Sequence, residues 1–280
     1  MGRMKAVVLA LVAALAWGPG PGARAAGVRH FAPNANFLAG GRFAPGAVGF
    51  NLADVSQVAQ LRLLPPGVAA VVWVGRCAGA DAPFRAAVQP FLGQPAVFAF
   101  YLMDDPDPRL RLHQRCAARA LRQEADWIHA HDSGALTFIA LMNLGTRLRP
   151  TFGRAYAPSA SHVDLFGIDP YPCRTELARC DFGMIDRYVA AAERAGIGVG
   201  RIVPIFQTFG GGAWHDGEGG FYRLPRPREA AAMLRRWHRL VPAPVFDYAY
   251  SWGSQRGDTG LADAPGLQAV LRRHNRALGP

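Results

Sequence analysis

Short apolar runs alternate with amphipathic helical stretches along most of the chain, and this alternation constrains the fold more than any other feature. The runs are rich in β-branched and aromatic residues, which is typical of strands buried on both faces of a parallel sheet. Seven are evident, at 47–52, 68–74, 96–103, 136–142, 163–168, 201–206 and 245–252. Repeated strand-then-helix units of this kind predict an α/β fold with a parallel sheet.

The number and length of these units favour a closed barrel. Helical periodicity occurs at 55–64, 83–92, 112–131, 184–195, 228–240 and 264–277. We therefore predict a single-domain (β/α)8 TIM-type barrel over residues 27–280, since about 255 residues is the usual span of that fold. The eighth strand is expected within residues 28–38, unless the connection at 144–162 is irregular. A doubly wound open sheet is the alternative, but no G-x-G-x-x-G motif follows an early strand.

The first 26 residues have the organisation of a secretory signal peptide. Arg3 and Lys5 precede an apolar run over 6–17, and the sequence Ala23-Arg24-Ala25 fits a small-residue cleavage site. The run is shorter than the roughly 18 to 20 apolar residues that span a membrane. We predict a signal peptide at 1–26, no membrane span in the mature chain, and a secreted or periplasmic location.

Export changes the interpretation of the four cysteines. An even number of cysteines in an oxidising compartment favours disulfides, and four allow three pairings. We favour Cys77 with Cys116 and Cys173 with Cys180. A structural zinc site is the alternative, but no CxxC pair or HxxxH helix accompanies the cysteines, so no metal is expected.

Composition argues against several classes of function. Of the 31 basic residues, 30 are arginine, and the single lysine, Lys5, lies in the predicted signal peptide. A chain without lysine cannot form a Schiff base or hold pyridoxal phosphate, and no phosphate-binding GxxxxGK[ST] loop is present. The arginines are scattered over the chain rather than concentrated with interleaved aromatics, so we expect no nucleic-acid partner despite the net charge of +11. No cofactor is expected, and nothing in the sequence indicates the oligomeric state.

Polar and aromatic residues follow the predicted strands, where a barrel places its active site. Carboxylates and amides at such positions bond sugar hydroxyls, aromatic rings stack on pyranose faces, and carboxylates act as general acids and bases. The sequence thus predicts a carbohydrate substrate or ligand. The candidate binding residues are Asn51, Tyr101, Asn143, Tyr171, Gln207, Tyr250 and Trp252. The candidate catalytic residues are Asp104, Asp105 and Asp169.

Four segments carry a resemblance to a known family. They are Phe100-Tyr101-Leu102-Met103-Asp104-Asp105-Pro106, Asp164-Leu165-Phe166-Gly167-Ile168-Asp169-Pro170-Tyr171-Pro172, Ile205-Phe206-Gln207-Thr208-Phe209-Gly210 and Ser251-Trp252. In these segments the chain resembles the barrel-type glycoside hydrolases of the large retaining clan. The resemblance implies an acid/base residue at Asp105, a nucleophile position at Gln207 and a platform tryptophan at Trp252.

Two departures from that pattern leave the mechanism open. Asp105 stands where the family has glutamate, and Gln207, which cannot form a glycosyl ester, stands where the family has its nucleophile. One alternative is that two of the strand-end aspartates act across a water molecule, and another is that Asp216 or Glu218 supplies the second carboxylate. The remaining alternative is a carbohydrate-binding barrel without catalytic activity.

Overall fold

The eight strands close into a parallel barrel, which confirms the predicted fold. The computed structural model describes residues 27–108, 116–215 and 218–279. The predicted signal peptide and Asp216 therefore lie outside the described residues. The strands are β1 Arg29–Phe31, β2 Leu52–Val55, β3 Ala69–Trp73, β4 Val97–Asp104, β5 Leu136–Ala140, β6 Leu165–Ile168, β7 Ile202–Gln207 and β8 Phe246–Tyr250.

Each strand pairs in parallel with its neighbours in chain order. The barrel closes between β1 and β8, where Arg29 lies opposite Phe246 and Phe31 lies opposite Tyr248. Because all strands run in one direction, their carboxyl ends meet at one mouth. Polar residues at these ends are thereby brought together from distant parts of the sequence.

Helices surround the barrel and pack on its outer face. They are α1 Ala82–Val88, α2 Ala118–His131, α3 Pro158–Ser161, α4 Gly183–Arg194, α5 Pro227–Leu240 and α6 Pro265–Leu278. Asp81 caps α1 by accepting a hydrogen bond from the backbone N–H of Phe84. The longer helices bury one apolar stripe each, for example Ala230, Met233, Leu234 and Trp237 on α5.

The apolar core has two layers separated by the barrel wall. The outer layer lies between strands and helices, and the inner layer fills the barrel with aromatic side chains. Within the barrel the ring centroids of Tyr101 and Phe138 are 4.6 Å apart, and those of Phe138 and Phe246 are 5.1 Å apart. The barrel is therefore a packed core, and the room for a ligand lies above it, at the mouth.

The predicted strand at 47–52 is misplaced by several residues. Pro45–Val48 is a 3-10 helix, Gly49 has a φ of 89°, and β2 begins only at Leu52. The preceding segment is apolar because Val48 and Phe50 are buried in the outer core layer. The helix expected at 55–64 is likewise reduced to a 3-10 helix, Val58–Leu63.

Both predicted disulfides are confirmed. Cys77 pairs with Cys116 at a Cα–Cα distance of 5.4 Å, and Cys173 pairs with Cys180 at 4.3 Å. The first bond joins the segment after β3 to the segment before α2. The second closes a short loop that follows β6 in the chain.

The ends of the described barrel lie side by side. The backbone N–H of Val28, just before β1, donates a hydrogen bond of 2.9 Å to the carbonyl of Leu278, the last residue of α6. Within the described ranges, every helix is too short or too polar to cross a membrane.

Candidate active site

Three carboxyl groups gather at the mouth of the barrel. Asp104 is the last residue of β4, Asp105 follows it, and Asp169 comes directly after β6. Asp105 has a φ of 47°, a left-handed conformation that aspartate adopts more readily than most residues. The hydroxyl of Tyr101 donates a 2.7 Å hydrogen bond to Oδ1 of Asp104 and fixes that carboxylate. The structure thus brings together the three residues that the sequence nominates as catalytic.

These carboxyl groups hold protons more tightly than isolated ones. Two causes raise the pKa of Asp105 to about 8, of which burial is the larger and the negative charge of Asp104 the smaller. Burial is also the main cause that raises the pKa of Asp169 well above its ordinary value, and the charges of Asp105 and Asp104 add to it. Because neighbouring carboxylates oppose each other's ionisation, the cluster retains a proton at neutral pH and can serve as a general acid.

Tyrosine side chains surround the carboxyl cluster. Tyr171 donates a hydrogen bond to Asp169, and its ring stacks on that of Tyr250 with centroids 6.1 Å apart. Burial, and to a smaller extent the negative charge of nearby carboxylates, raises the pKa of Tyr101, Tyr171 and Tyr248 well above the ordinary value. These phenols therefore stay protonated and act as hydrogen-bond donors at the mouth.

A cavity of about 510 Å³ opens beside Asp104. The loops after β1, β2 and β8 and the last residue of β3 form its walls. It is lined by Pro33, Asn34, Ala35, Asn36, Phe37, Asp54, Ser56, Gln60, Trp73, Asp104, Tyr248, Tyr250 and Gln255. Two cavities of similar volume lie where the loop after β3 meets α2, but neither is lined by any of the three clustered carboxyl groups.

The loop after β1 is locked to β2 by reciprocal hydrogen bonds. Oδ1 of Asn36 accepts from the backbone N–H of Asp54 at 2.7 Å, and Oδ2 of Asp54 accepts from the backbone N–H of Asn34 at 3.1 Å. Asn34 and Ala35 both have positive φ values, 71° and 52°. Asn36 and Asp54 thus stabilise an uncommon loop conformation that forms one wall of the cavity.

Gln207 belongs to the barrel wall rather than to the cavity. Its Oε1 accepts from the backbone N–H of Cys173 at 2.8 Å, and its Nε2 donates to the carbonyls of Cys173 at 2.9 Å and Arg223 at 3.0 Å. The side chain is completely buried. Its amide therefore ties β7 to the loops that follow β6 and precede α5, instead of facing a substrate.

The other residues nominated for substrate binding lie in different surroundings. Tyr101, Tyr171 and Tyr250 are at the mouth, as expected from the sequence. Asn143 organises the loop after β5, where its Oδ1 accepts from the backbone N–H groups of Gly145 and Thr151 at 3.0 Å each. Glu218, considered as a second carboxylate, accepts a 2.6 Å hydrogen bond from the backbone N–H of Arg147.

Asn51 and Trp252 are away from the expected positions, and both expectations are corrected. Asn51 precedes β2 and accepts a hydrogen bond from the backbone N–H of His30, so it lies at the amino end of the strands, opposite the mouth. Trp252 lies in the outer core layer and packs against Phe50 with ring centroids 6.5 Å apart. Neither residue lines the cavity beside Asp104.

One side-chain group in the described ranges has the composition of a metal site. His30, Asp247 and His274 place ligand atoms within 4.8 Å of one another, between the barrel wall and α6. Asp247 forms a hydrogen bond with each ring, 2.8 Å from Oδ1 to Nδ1 of His30 and 2.8 Å from Oδ2 to Nε2 of His274. Both oxygens of the Asp247 carboxylate are therefore engaged, whereas Nε2 of His30 is buried without a hydrogen-bond partner among the described residues. We assign this group a structural role. Cys173, Cys180 and Glu229 also lie close together, but the two cysteines form a disulfide.

Solved glycoside hydrolases share this barrel. The catalytic domain of a Group II chitinase from Ostrinia furnacalis has a TM-score of 0.56 at 11% identity, over 89% of this chain and 97% of that one. A GH18 chitinase from Flavobacterium johnsoniae has a TM-score of 0.52 at 8% identity, over 90% and 95%. The chain therefore has the TIM-barrel fold that these two chitinases share.

The same barrel is found in a larger protein. The β-glucuronidase of Lactobacillus rhamnosus has a TM-score of 0.50 at 11% identity over 81% of this chain, which spans only 43% of the glucuronidase. No family model matches the sequence of this chain, and no curated protein matches it either.

Most residues of the cavity were not nominated from the sequence, and two of these, Trp73 and Asp54, are an exposed aromatic ring and a carboxylate. Trp73 ends β3 with 40% of its surface exposed, and Asp54 lies within β2. Trp73 stands at the end of a predicted buried run, where an aromatic residue is easily taken for core. Asp54 appeared to precede a helix because β2 was assigned too early in the sequence. A correctly placed second strand would have put Asp54 near its carboxyl end.

Proposed function

We propose that the chain is a glycoside hydrolase acting on an oligosaccharide or an envelope polysaccharide outside the cytoplasm. The observation that carries this proposal is the convergence of Asp104, Asp105 and Asp169 at the mouth of the barrel. Asp105 is the proton donor to the glycosidic oxygen, because its raised pKa keeps it protonated at neutral pH. Asp104 or Asp169 acts as the partner carboxylate.

The surroundings of Gln207 favour direct attack by water. Its amide is occupied by backbone groups, and it cannot serve as a nucleophile. A carboxylate that activates a water molecule on the opposite face of the sugar gives a single displacement with inversion at the anomeric carbon. Because Tyr101 and Tyr171 already donate their protons to Asp104 and Asp169, the tyrosine oxygens around the cluster accept hydrogen bonds from sugar hydroxyls.

Replacement of the proton donor tests the proposal. Asp105→Asn keeps the shape of the side chain but removes its transferable proton, so we expect turnover to fall by about 10²- to 10⁴-fold while binding is retained. Reducing ends released from a broad glycan panel measure turnover, and NMR of the first-formed anomer reports inversion. Wild-type turnover in the variant would overturn the assignment of Asp105.

Asp126→Asn is the matched control. Asp126 is exposed on α2, where it pairs with Arg122 and His162, and its replacement makes the same Asp-to-Asn change on the outer surface. The control should turn over like the wild type.

The second candidate function is glycan binding without cleavage. It is favoured by Gln207, since the position that carries the nucleophile in the resembling family holds a structural amide here. Binding of a glycan by wild-type protein that releases no reducing ends from any member of the panel would support this alternative.

A predicted signal peptide and two disulfides support a secreted or periplasmic location. Mass spectrometry of the N-terminus of protein from the extracellular or periplasmic fraction tests the predicted cleavage after residue 26.

A further inference from the structure

We propose that the cavity beside Asp104 is a pyranose subsite that prefers amino sugars and excludes uronic acids, with Trp73 as its stacking platform and Asp54 as its selecting carboxylate. This inference rests on the proposed glycosidase function and adds the chemical class of sugar. The cavity volume of about 510 Å³ is within the usual range for small-molecule sites.

The indole of Trp73 is held as a rigid wall of the cavity. Its ring meets the ring of Tyr101 edge to face, with centroids 4.9 Å apart and planes at 84°. The backbone of Gly75 lies so close that a Cβ at that position would be 2.5 Å from Cζ2 of the indole. Only glycine allows this approach, and Gly75 also has a φ of 62°. With these contacts fixing the ring, its exposed part faces the cavity, where the apolar face of a pyranose can pack.

Asp54 is fixed in the cavity wall with acceptor capacity to spare. Its backbone N–H donates to Asn36, and its Oδ2 accepts from the backbone N–H of Asn34. No hydrogen bond reaches its Oδ1 from the described residues. A carboxylate held in this way accepts a hydrogen bond from a sugar hydroxyl group. It binds an ammonium group more strongly, because a hydrogen bond between two charged groups is charge-assisted.

The charge of the cavity distinguishes among sugar classes. Asp54 and Asp104 line it, whereas none of its described lining residues is Arg, Lys or His, in a chain with 31 basic residues. The carboxylate of a uronic acid would therefore enter beside like charges. An ammonium group gains attraction from the same charges, and the aromatic rings of Trp73 and Tyr250, which also line the cavity, favour a cation.

Calorimetric binding to full-length Asp105→Asn protein tests the inference. The probes are three β-1,4-linked tetrasaccharides of gluco configuration, which carry a 2-amino group, a 2-acetamido group or a 6-carboxylate. We expect the amino form to bind about 10-fold more tightly than the acetamido form at low salt, with an advantage that falls as salt is added, and the uronate to bind least.

Two further replacements in that background assign the roles. Asp54→Asn should abolish the preference for the amino form. Trp73→Ala should weaken the binding of the amino and acetamido forms alike by about 10-fold, and Trp73→Phe should recover part of the lost affinity. The matched controls are Asp126→Asn and Trp127→Ala, both on α2. These controls should leave all three affinities unchanged.

Several results would overturn the inference. They are binding of the uronate as tight as that of the amino form, an amino preference that survives Asp54→Asn, unchanged affinity in Trp73→Ala, or no binding of any probe.

The glycosidase proposal and the subsite proposal can fail independently of each other. If the wild type cleaves none of the probes but the binding pattern holds, the glycosidase proposal fails and the subsite remains. If the wild type cleaves a probe and both Asp54→Asn and Trp73→Ala, made in the wild-type background, act on it with unchanged KM, the subsite fails and the glycosidase remains.

Discussion

Gln207 illustrates how far a single residue can be interpreted from sequence. A polar side chain at the end of an apolar strand needs a partner, because an unpaired buried amide is costly. The sequence therefore predicts either a ligand or a network partner for Gln207, and the structure shows a network of backbone hydrogen bonds. The partners are backbone groups of Cys173 and Arg223, which lie 34 and 16 residues away along the chain. Local sequence carries no information about such distant partners, so their identity required the fold.

The contacts of Gln207 predict that a glutamate is a poor replacement. Gln207→Glu would place a carboxylate oxygen against the carbonyls that now accept from Nε2, so we expect the free energy of unfolding to fall by about 3 kcal/mol at pH 8. The new carboxyl group would have a raised pKa in the folded state, and its protonated form would be favoured there. The loss should therefore be smaller at pH 4 and grow as the pH rises, as thermal unfolding at the two pH values can measure.

Gln94→Glu is the matched control, since Gln94 is exposed before β4 and its replacement should leave the melting temperature nearly unchanged. Equal melting temperatures of Gln207→Glu and the wild type at pH 8 would contradict the structural role of Gln207.

The protonation of Asp105 predicts the alkaline limit of activity. Burial and the charge of Asp104 raise the pKa of Asp105 to about 8, and a general acid works only while protonated. We expect kcat/KM to be maintained up to about pH 8 and to fall about tenfold per pH unit above it. A pH profile on a cleaved glycan measures this limit. A decline beginning near pH 5, or none up to pH 10, would be inconsistent with Asp105 as the donor.

At the scale of elements, β8 and α6 are joined through a buried charged group. Asp247 of β8 bonds His30 of β1 and His274 of α6. Burial alone would raise the pKa of Asp247, but the charge of His30 and the hydrogen bonds from both histidines bring it below the ordinary value. The seam where the barrel closes is therefore stabilised by an ionised carboxylate.

Replacing that carboxylate should weaken the seam in a pH-dependent way. We expect Asp247→Asn to lower the free energy of unfolding by about 2 kcal/mol at pH 7. A lowered pKa means that the stabilisation is present above the pKa of the unfolded state, about 4, and is lost as the pH falls through the lower folded value. The difference between variant and wild type should thus shrink towards pH 3 in denaturant titrations, whereas Asp126→Asn should differ little from the wild type throughout. A constant difference from pH 7 to pH 3 would exclude this origin.

The elements themselves were predictable to different degrees. Strands β3 to β8 were predicted within a few residues, since each is a buried run bounded by turn residues or a helix. The second strand was not, because an apolar segment that packs under a helix has the same composition as a strand. β1 is only three residues long and was predicted only as a region. A periodicity needs more residues than that to be recognised.

At the scale of the whole molecule, closure of the barrel is what creates the site. Asp54, Asp104 and Asp169 are spread over more than 100 positions in sequence, and they meet because parallel strands end at one mouth. From the fold class alone, the sequence predicted the convergence of Asp104 and Asp169 but not that of Asp54. It did not predict the cavity on the β1–β3 side, since that depends on the conformation of the loop at Asn34 and Ala35.

The hydrogen bond between Val28 and Leu278 holds the two ends of the described barrel together on the face opposite the mouth. A short linker can therefore connect them, and new termini can be opened in a surface loop to give a circular permutant that keeps the same strand order around the barrel. The same geometry suits immobilisation. A fusion partner or a surface tether attached at either end would leave the mouth facing the surrounding solution.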